Sequence, residues 1–394
     1  AMTSLDLGDN FDTSNVTNMR EMFSDIGPYT LKKLNLGANF DTSKVTDMYY
    51  MFWHCGMGSL SEINLGSKFD TSNVTNMEGM FESAVHLATT LNLGDKFDTS
   101  KVTNMKGMFA AFGYSNLITL DLGANFDTSS VTDMSGMFDK CGYYNMTTLN
   151  LGSKFNTNKV TNMKQMFKEV GYEKLATLNL GTLFDTSNVT DMSAMFEGAG
   201  YQKLTTLNLG DKFDTSKVKT MDWMFALCGY TSMTSLTLGA NFNTSNVTDM
   251  NTMFYQTGYK ALKKLNLGDK FDTSKVTDMH NMFYMCGYEA MESLDLGIAF
   301  KNIPDGDIKL VDETTGTINW QGKAYDGIFK DCGKSGAIIY ISSELYKDKH
   351  NAKLNSNSST TVQYVRGTFN TTLQPGTLKT TDTETEATSG FLGN

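Results

Sequence analysis

Seven tyrosines recur at one position of a repeated motif, and they are the side chains best suited to bind a ligand. Each follows a glycine, and successive members are 29 residues apart. The set is Tyr114, Tyr143, Tyr172, Tyr201, Tyr230, Tyr259 and Tyr288. Equivalent positions of stacked repeats lie about 5 Å apart, so the rings should form a ladder along one edge. Aromatic rings with free hydroxyls can bind a sugar. We predict these seven residues as the ligand-binding site; the alternative is that they only pack their own loop.

Aspartates form a second column, at the second letter of a recurring F-D-T-S motif. Its members are Asp12, Asp41, Asp70, Asp98, Asp127, Asp185, Asp214 and Asp272. Stacked carboxylates repel each other, and Ca²⁺ could relieve that repulsion. However, a lysine lies three residues later in every second repeat, and Asp side chains also accept hydrogen bonds from nearby backbone N–H groups. We therefore expect turn capping and predict no metal site, with calcium as the alternative.

Cysteine and histidine offer no catalytic arrangement. Five cysteines share one position, three residues after a phenylalanine: Cys55, Cys141, Cys228, Cys286 and Cys332. Most lie two or more repeats apart, too far for a disulfide, and we expect buried free thiols. The four histidines share no position, whereas a nucleophile needs a base within about 3 Å. We predict no catalytic residue, no cofactor and no enzymatic activity.

The element that must position these columns is a repeat of 29 residues. The phenylalanine of F-D-T-S recurs from Phe11 to Phe271 with every spacing 29 except one of 28, and such a period is typical of a solenoid. Within each unit, L-x-L alternation predicts a short strand. The following V-x-x-M-x-x-M-F, with apolar spacings of three and four, predicts a helical turn. The expected fold is an α/β solenoid with a parallel β-sheet on one face and short helical turns on the other.

Methionine is unusually frequent, and its distribution indicates a core role. Of the 26 methionines, 23 fall in three columns of the repeat that the pattern places inward. Methionine is unbranched and fills irregular interior space well. We therefore expect these columns to be buried.

The full motif resembles a known family. The string L-x-x-L-x-L-G-x-x-F-D-T-S-x-V-T-x-M-x-x-M-F-x-x-C-G covers about residues 3–299 and is similar to the BspA-like leucine-rich repeat surface proteins of Gram-positive bacteria, mycoplasmas and some anaerobes. This resemblance implies a right-handed leucine-rich-repeat solenoid, an extracellular location at the cell surface, and a role in adhesion or host interaction. The chain differs from the family's usual shorter unit by an added G-Y-x element.

The repeat also sets the expected domain organisation. Residues 1–299 form the ten-repeat solenoid, 300–366 a divergent last repeat with an insertion and a C-terminal cap, and 367–394 a Thr/Ser-rich flexible tail or linker. Residues 337–341, Ala-Ile-Ile-Tyr-Ile, predict a last strand. Because the chain begins inside a repeat, we expect it to be part of a longer protein, with any signal and anchor outside this sequence.

Charge and hydropathy narrow the possible partners. With 33 Lys plus Arg against 43 Asp plus Glu, the net charge of −10 gives no basic footprint for nucleic acid. No apolar run approaches the roughly 18 residues of a spanning helix, so we expect no membrane insertion within this sequence. An extracellular protein or glycan ligand is the expected partner.

Two functions remain at the level of sequence, with a third less favoured. The first is a non-enzymatic bacterial cell-surface adhesion module that recognises a host or neighbouring-cell protein or glycan. The second is a rigid structural spacer that presents another domain away from the cell wall; the outward strand residues, mostly Asn, Thr and Ser, suit it. Ice or mineral binding through threonine rows is weaker because Lys33, Glu62 and Lys264 interrupt the rows.

Overall fold

A computed structural model describes most of the repeat region and short pieces beyond it. The described residues are 2–300, 328–329, 331–334, 337–340 and 360–362, the last two ranges as backbone only. The predicted tail at 367–394 and most of the predicted cap at 300–366 lie outside them. The chain divides into two compact units, Ala1–Val189 with Gly198–Lys203, and Thr190–Glu197 with Leu204–Asn394. Within each unit, successive repeats stack as coils of a parallel β-solenoid.

Strands of three or four residues build the sheet face of each unit. The first unit contains β1 (Ser4–Asp6), β2 (Lys33–Asn35), β3 (Thr119–Asp121), β4 (Thr148–Asn150) and β5 (Thr177–Asn179). The second contains β6 (Thr206–Asn208), β7 (Ser235–Thr237), β8 (Lys264–Asn266), β9 (Ser293–Asp295), β10 (Ala337–Tyr340) and β11 (Thr360–Val362). Equivalent leucines pair in parallel register, as Leu120 of β3 does with Leu149 of β4. The strand expected at 337–341 is present as β10, between β9 and β11.

The predicted helical turns are absent, and the α/β assignment is therefore wrong. No residue that the structure describes is helical. In the M-x-x-M-F segment, alternate N–H groups bond to the next coil instead of to the preceding helical turn: Phe23 N–H donates to Met51 O at 2.8 Å. The N–H groups between them close local turns, as Trp53 does to Tyr50 O at 3.1 Å. These bonds make the segment another face of the solenoid.

Left-handed residues at fixed positions explain why the spacing of three and four resembled a helix. One such position is occupied by Glu21, Tyr50, Gly79, Gly107, Gly136, Gln165, Ala194, Trp223, Thr252 and Asn281, all with φ between 49° and 62°. A left-handed residue ends each turn and redirects the chain, so the two methionines and the phenylalanine around it point inward. Successive turns therefore produce the apolar spacing that a helix would also produce.

The interior columns are confirmed as core. Nearly every methionine and phenylalanine of the repeat is buried, and so are all five cysteines, which are free thiols. Phenylalanines of successive coils stack, with ring centroids 5.5 Å apart for Phe52 and Phe81. Burial raises the pKa of the Cys55 thiol to about 12 and that of Cys332 likewise, so neither is a thiolate at neutral pH.

A buried threonine column links the coils and was not anticipated from the sequence. The threonine of F-D-T-S is at most 3% exposed in every described repeat. Thr42 Oγ1 donates to the Asp70 carbonyl at 2.8 Å and accepts from Asp70 N–H at 2.7 Å. The same pair of bonds joins Thr13 to Asp41. In these coils the hydroxyl thus satisfies a donor and an acceptor of the next coil. Thr71 and Thr244 donate in the same way, but the N–H groups of Asp98 and Asp272 bond to Lys96 O and Lys270 O instead.

Replacing a left-handed residue by glycine should stabilise the protein. Gln165 has φ 58° and Lys164 has no positive φ. A left-handed residue other than glycine costs about 1–2 kcal/mol, so Gln165→Gly should raise the free energy of unfolding by about 1 kcal/mol. Lys164→Gly, the adjacent control, should lower it by about 0.5–1 kcal/mol. Denaturant unfolding measures both. A loss of stability in Gln165→Gly would favour the helical interpretation, because glycine weakens a helix.

Candidate functional site

The predicted tyrosines form a ladder in each unit. In the first unit, the ring centroids are 4.9 Å apart for Tyr114 and Tyr143, 4.5 Å for Tyr143 and Tyr172, and 4.5 Å for Tyr172 and Tyr201. Interplanar angles of 20°, 7° and 7° make all three pairs stacked. All four rings are half-buried. The predicted stacking is therefore present in this unit.

A shorter ladder lies in the second unit. The rings of Tyr230 and Tyr259 stack at 4.7 Å, and those of Tyr259 and Tyr288 at 5.1 Å. These three rings are also half-buried. Each unit thus has its own row of regularly spaced phenols.

Stacking determines which part of each ring a ligand could contact. The faces of Tyr143 and Tyr172 are each covered by neighbouring rings, so a sugar cannot lie flat on them. The ring edges and hydroxyls remain for contact. A ligand on the ladder would therefore be held by hydrogen bonds to a row of phenols, with close edge contacts between them.

Burial keeps the phenols of Tyr114, Tyr143 and Tyr172 protonated. It raises the pKa of Tyr143 to about 12, with the carboxylate of Glu169 adding to the shift, and raises the pKa of Tyr172 further. Burial also raises the pKa of Tyr114, whose ring meets that of the exposed Tyr144 edge-on with centroids 5.3 Å apart. These three phenols are therefore neutral at physiological pH and lie beside the carboxylate of Glu169, which favours a neutral or basic ligand over an anionic one.

The aspartate column caps turns, as the sequence predicted. Asp41 Oδ1 accepts from Ser43 N–H at 2.9 Å, and the bonds from Ser43 lower the pKa of Asp41. Lys44, Lys101 and Lys275 bond to asparagine amide oxygens of the preceding coil, as Lys44 Nζ does to Asn15 at 2.8 Å. Over the part of the chain that the structure covers, no group of three or more His, Cys, Asp or Glu side chains is arranged to hold a metal ion.

The outward strand residues have the same capping role, which the sequence did not reveal. Asn150 Oδ1 accepts from Gly152 N–H at 3.0 Å, and Asn266 Oδ1 accepts from Gly268 N–H at 2.8 Å. The same bond joins Asn35 to Gly37. The uniformity of this face therefore has a structural cause, since each Asn or Asp holds the turn that ends its strand.

An aromatic cluster on the turn face of the first unit is a second group of ligand-capable side chains. Arg20 lies 4.0 Å from the centroid of the Tyr49 ring and pairs with Asp47 at 2.9 Å. The rings of Tyr49 and Tyr50 meet edge-on at 4.4 Å. Trp53 packs against Tyr50 with ring centroids 5.9 Å apart. Because these residues already partner one another, the cluster stabilises the turns of the first coils.

His86 replaces the ladder tyrosine one coil before Tyr114. The two rings are 5.4 Å apart. Nε2 of His86 is buried without a hydrogen-bond partner among the residues described. Burial lowers the pKa of His86 to about 4, so the ring is neutral at pH 7.

Acidification should therefore destabilise the protein through His86. Because folding lowers the pKa of His86 from 6.5 to about 4, the unfolded chain binds the proton first, and stability falls as the pH drops through this window. We expect the free energy of unfolding to fall by about 1–2 kcal/mol. This loss is smaller than the full pKa shift implies, because water screens the half-buried ring. His86→Tyr, which restores the ladder residue, should remove this part of the pH dependence. Urea unfolding at pH 7 and pH 4.5 measures it; an unchanged difference in the variant would contradict the assignment.

Comparison with known proteins defines the class. The parallel coils and the 29-residue unit make the chain a repeat protein of the β-solenoid type. A family model described as "Mycoplasma protein of unknown function, DUF285" matches residues 3–119, 56–172, 110–228 and 169–291, and the chain belongs to this family. No curated protein and no solved structure matches the chain, so the BspA-like leucine-rich assignment is not confirmed. The described residues contain no helix long and apolar enough to cross a membrane.

Proposed function

We propose that this chain is a non-enzymatic recognition module of a bacterial cell surface that binds a host or neighbouring-cell protein or glycan along the tyrosine ladders. The main support for this proposal is the row of stacked, half-buried phenols in the first unit, whose ring centroids are 4.5–4.9 Å apart. Because each of these four coils supplies one hydroxyl, an extended ligand meets the same donor and acceptor repeatedly. Many weak contacts then add along the ligand.

Burial of the reactive side chains supports the non-enzymatic part of the proposal. The five cysteines are buried, and their pKa values are raised by burial, as for Cys55 and Cys332. His54 and His280 each pair with an aspartate, Asp25 at 3.1 Å and Asp278 at 2.6 Å. These pairs are partly exposed at the surface, and the thiols that could serve as nucleophiles lie in the core.

A rigid spacer is the second candidate, and the bonding between coils favours it. Backbone bonds and the buried threonine column join each coil to the next, which makes each unit stiff. A spacer needs this stiffness and needs no ligand. The two functions therefore differ in one testable respect: a recognition module binds a ligand at the edge of the tyrosine ladder, and a spacer does not.

Binding of the whole chain to a broad panel of glycans and extracellular-matrix proteins separates them. Recognition predicts selective binding of one ligand class that survives physiological salt, because neutral phenols and not ion pairs make the contacts. A neutral or basic ligand is expected. Absence of binding to every member of the panel would contradict the recognition function and favour the spacer function.

A further inference from the structure

The sheet of the first unit is interrupted between its third and fourth coils. Residues 62–64 and 90–92 occupy the strand position of the repeat, yet neither segment is a strand, and Asn64 makes only one bridge, to Asn35 of the preceding coil. Within the described residues, no backbone hydrogen bond joins 61–67 to 88–94. On either side of the gap the coils bond normally, as His86 N–H does to Met57 O and Thr71 N–H to Lys96 O.

A local change in the repeat produces this gap. The linker after Phe81 is one residue shorter than in other coils, which is the origin of the single 28-residue spacing. Val85 replaces the usual glycine, and Ala88 replaces the inward leucine present as Leu60 and Leu117 in the flanking coils. Both substituted residues, Val85 and Ala88, line the pocket at this gap.

A pocket of about 360 Å³ occupies the gap, and we name it the slot. Its volume is in the range of ligand sites and exceeds the space of the few carbon atoms that a leucine adds to an alanine. The apolar lining residues are Ile63, Leu65, Val85, Ala88, Leu91 and Phe112. The polar ones at the rim are Glu62, Asn64, Ser67, Thr90 and Asn92.

We propose that the slot binds an extended peptide segment with a leucine-like side chain. The amides of Gly66 and Gly94 are capped by Asn64 and Asn92. In the described part of the chain, no backbone bond crosses the gap between 61–67 and 88–94, and an extended peptide supplies donors and acceptors for the strand positions 61–65 and 90–93. Ala88 lines the slot where the flanking coils carry Leu60 and Leu117, so the peptide places one leucine against Ala88. This site is separate from the tyrosine ladders.

Charge further defines the peptide. Glu62 is the one charged residue among those lining the slot, and it is exposed. The chain as a whole carries a net charge of −10. A basic residue beside the leucine is therefore favoured and an acidic one disfavoured, both at the rim and during diffusional encounter.

Calorimetric titration of the full chain with acetyl-Lys-Thr-Leu-Thr-Lys-amide tests the proposal. Replacement of the central leucine of the peptide by alanine, or methylation of its backbone nitrogens, should each weaken binding at least tenfold. Ala88→Leu, which restores the repeat residue, should also weaken binding at least tenfold without loss of thermal stability. Ala176→Leu, the same substitution at an exposed alanine of another coil, should leave the affinity unchanged.

Hydrogen exchange distinguishes a bound strand from a bound side chain. Amides of 61–65 and 89–93 that face the gap should exchange at least tenfold more slowly with the leucine peptide present. No binding heat with the leucine peptide, equal affinity of wild type and Ala88→Leu, or unchanged exchange would overturn the proposal. Binding of leucinamide as tight as that of the peptide would also overturn it, since the slot would then be a small-molecule pocket.

Discussion

Gly142→Ala is expected to lower the free energy of unfolding by about 2–5 kcal/mol. Gly142 has φ 57°, and a Cβ there would lie 2.5 Å from Cβ of the buried Met146 and 2.9 Å from its sulfur. The backbone strain contributes about 1–2 kcal/mol, and overpacking of the core contributes about 1–3 kcal/mol more. Urea unfolding followed by circular dichroism measures the loss.

Gly136→Ala in the same coil is the matched control. Gly136 has φ 62°, but a Cβ there would meet no atom within 4 Å. It should therefore show only the backbone cost of about 1–2 kcal/mol. Equal losses in the two variants would mean that the tight contact between Gly142 and Met146 is absent.

Thr42→Val is the second substitution with a large expected effect. Valine keeps the shape of threonine but removes both hydrogen bonds to Asp70, so a partly buried donor and a partly buried acceptor lose their partner. Each unsatisfied group costs about 1–3 kcal/mol, and we expect a total loss of about 2–4 kcal/mol in the free energy of unfolding. The same urea titration measures it.

Thr46→Val tests whether the stability loss expected for Thr42→Val depends on the burial of the threonine. Thr46 is exposed, and its Oγ1 donates to Thr17 O at 3.2 Å. Water can replace this bond, so the loss should stay below about 0.5 kcal/mol. If Thr42→Val is as harmless as Thr46→Val, the threonine column does not hold the coils together.

The repeat and its inward columns could be predicted from the sequence, because the regular recurrence of apolar residues reflects which positions are buried. Every residue type that the pattern placed inward is buried, including the five cysteines. The aspartate turns were also predictable, because an Asp two residues before its backbone partner is a local arrangement.

The prediction of helical turns was wrong because a helix and a series of tight turns give the same spacing of apolar residues. Met19, Met22 and Phe23 have the spacing of a helix face, but left-handed Glu21 makes the same side chains converge through turns. The recurrence of glycine at this position, as in Gly79, Gly107 and Gly136, was a signal for φ > 0 that could have indicated turns.

The remaining features depend on contacts between coils, which a single repeat does not show. Thr42 lies in a motif that predicts a local turn, whereas its hydroxyl bonds to Asp70 of the next coil. The slot could not be predicted because the sequence does not show that Ala88 lines a gap between coils. The single 28-residue spacing does mark the coil in which the slot lies. The tyrosine spacing predicted stacking but not that each ring covers the face of its neighbour.

The affinity of a triple tyrosine-to-phenylalanine variant for the best ligand of the panel tests the central claim most directly. Tyr143→Phe, Tyr172→Phe and Tyr201→Phe together keep the stack and remove three hydroxyls. With about 0.5–1.5 kcal/mol per lost hydrogen bond, binding should weaken at least tenfold while the thermal midpoint stays within a few degrees. Tyr29→Phe, an exposed tyrosine outside the ladder, should change neither. Unchanged affinity in the triple variant would contradict recognition by the ladder.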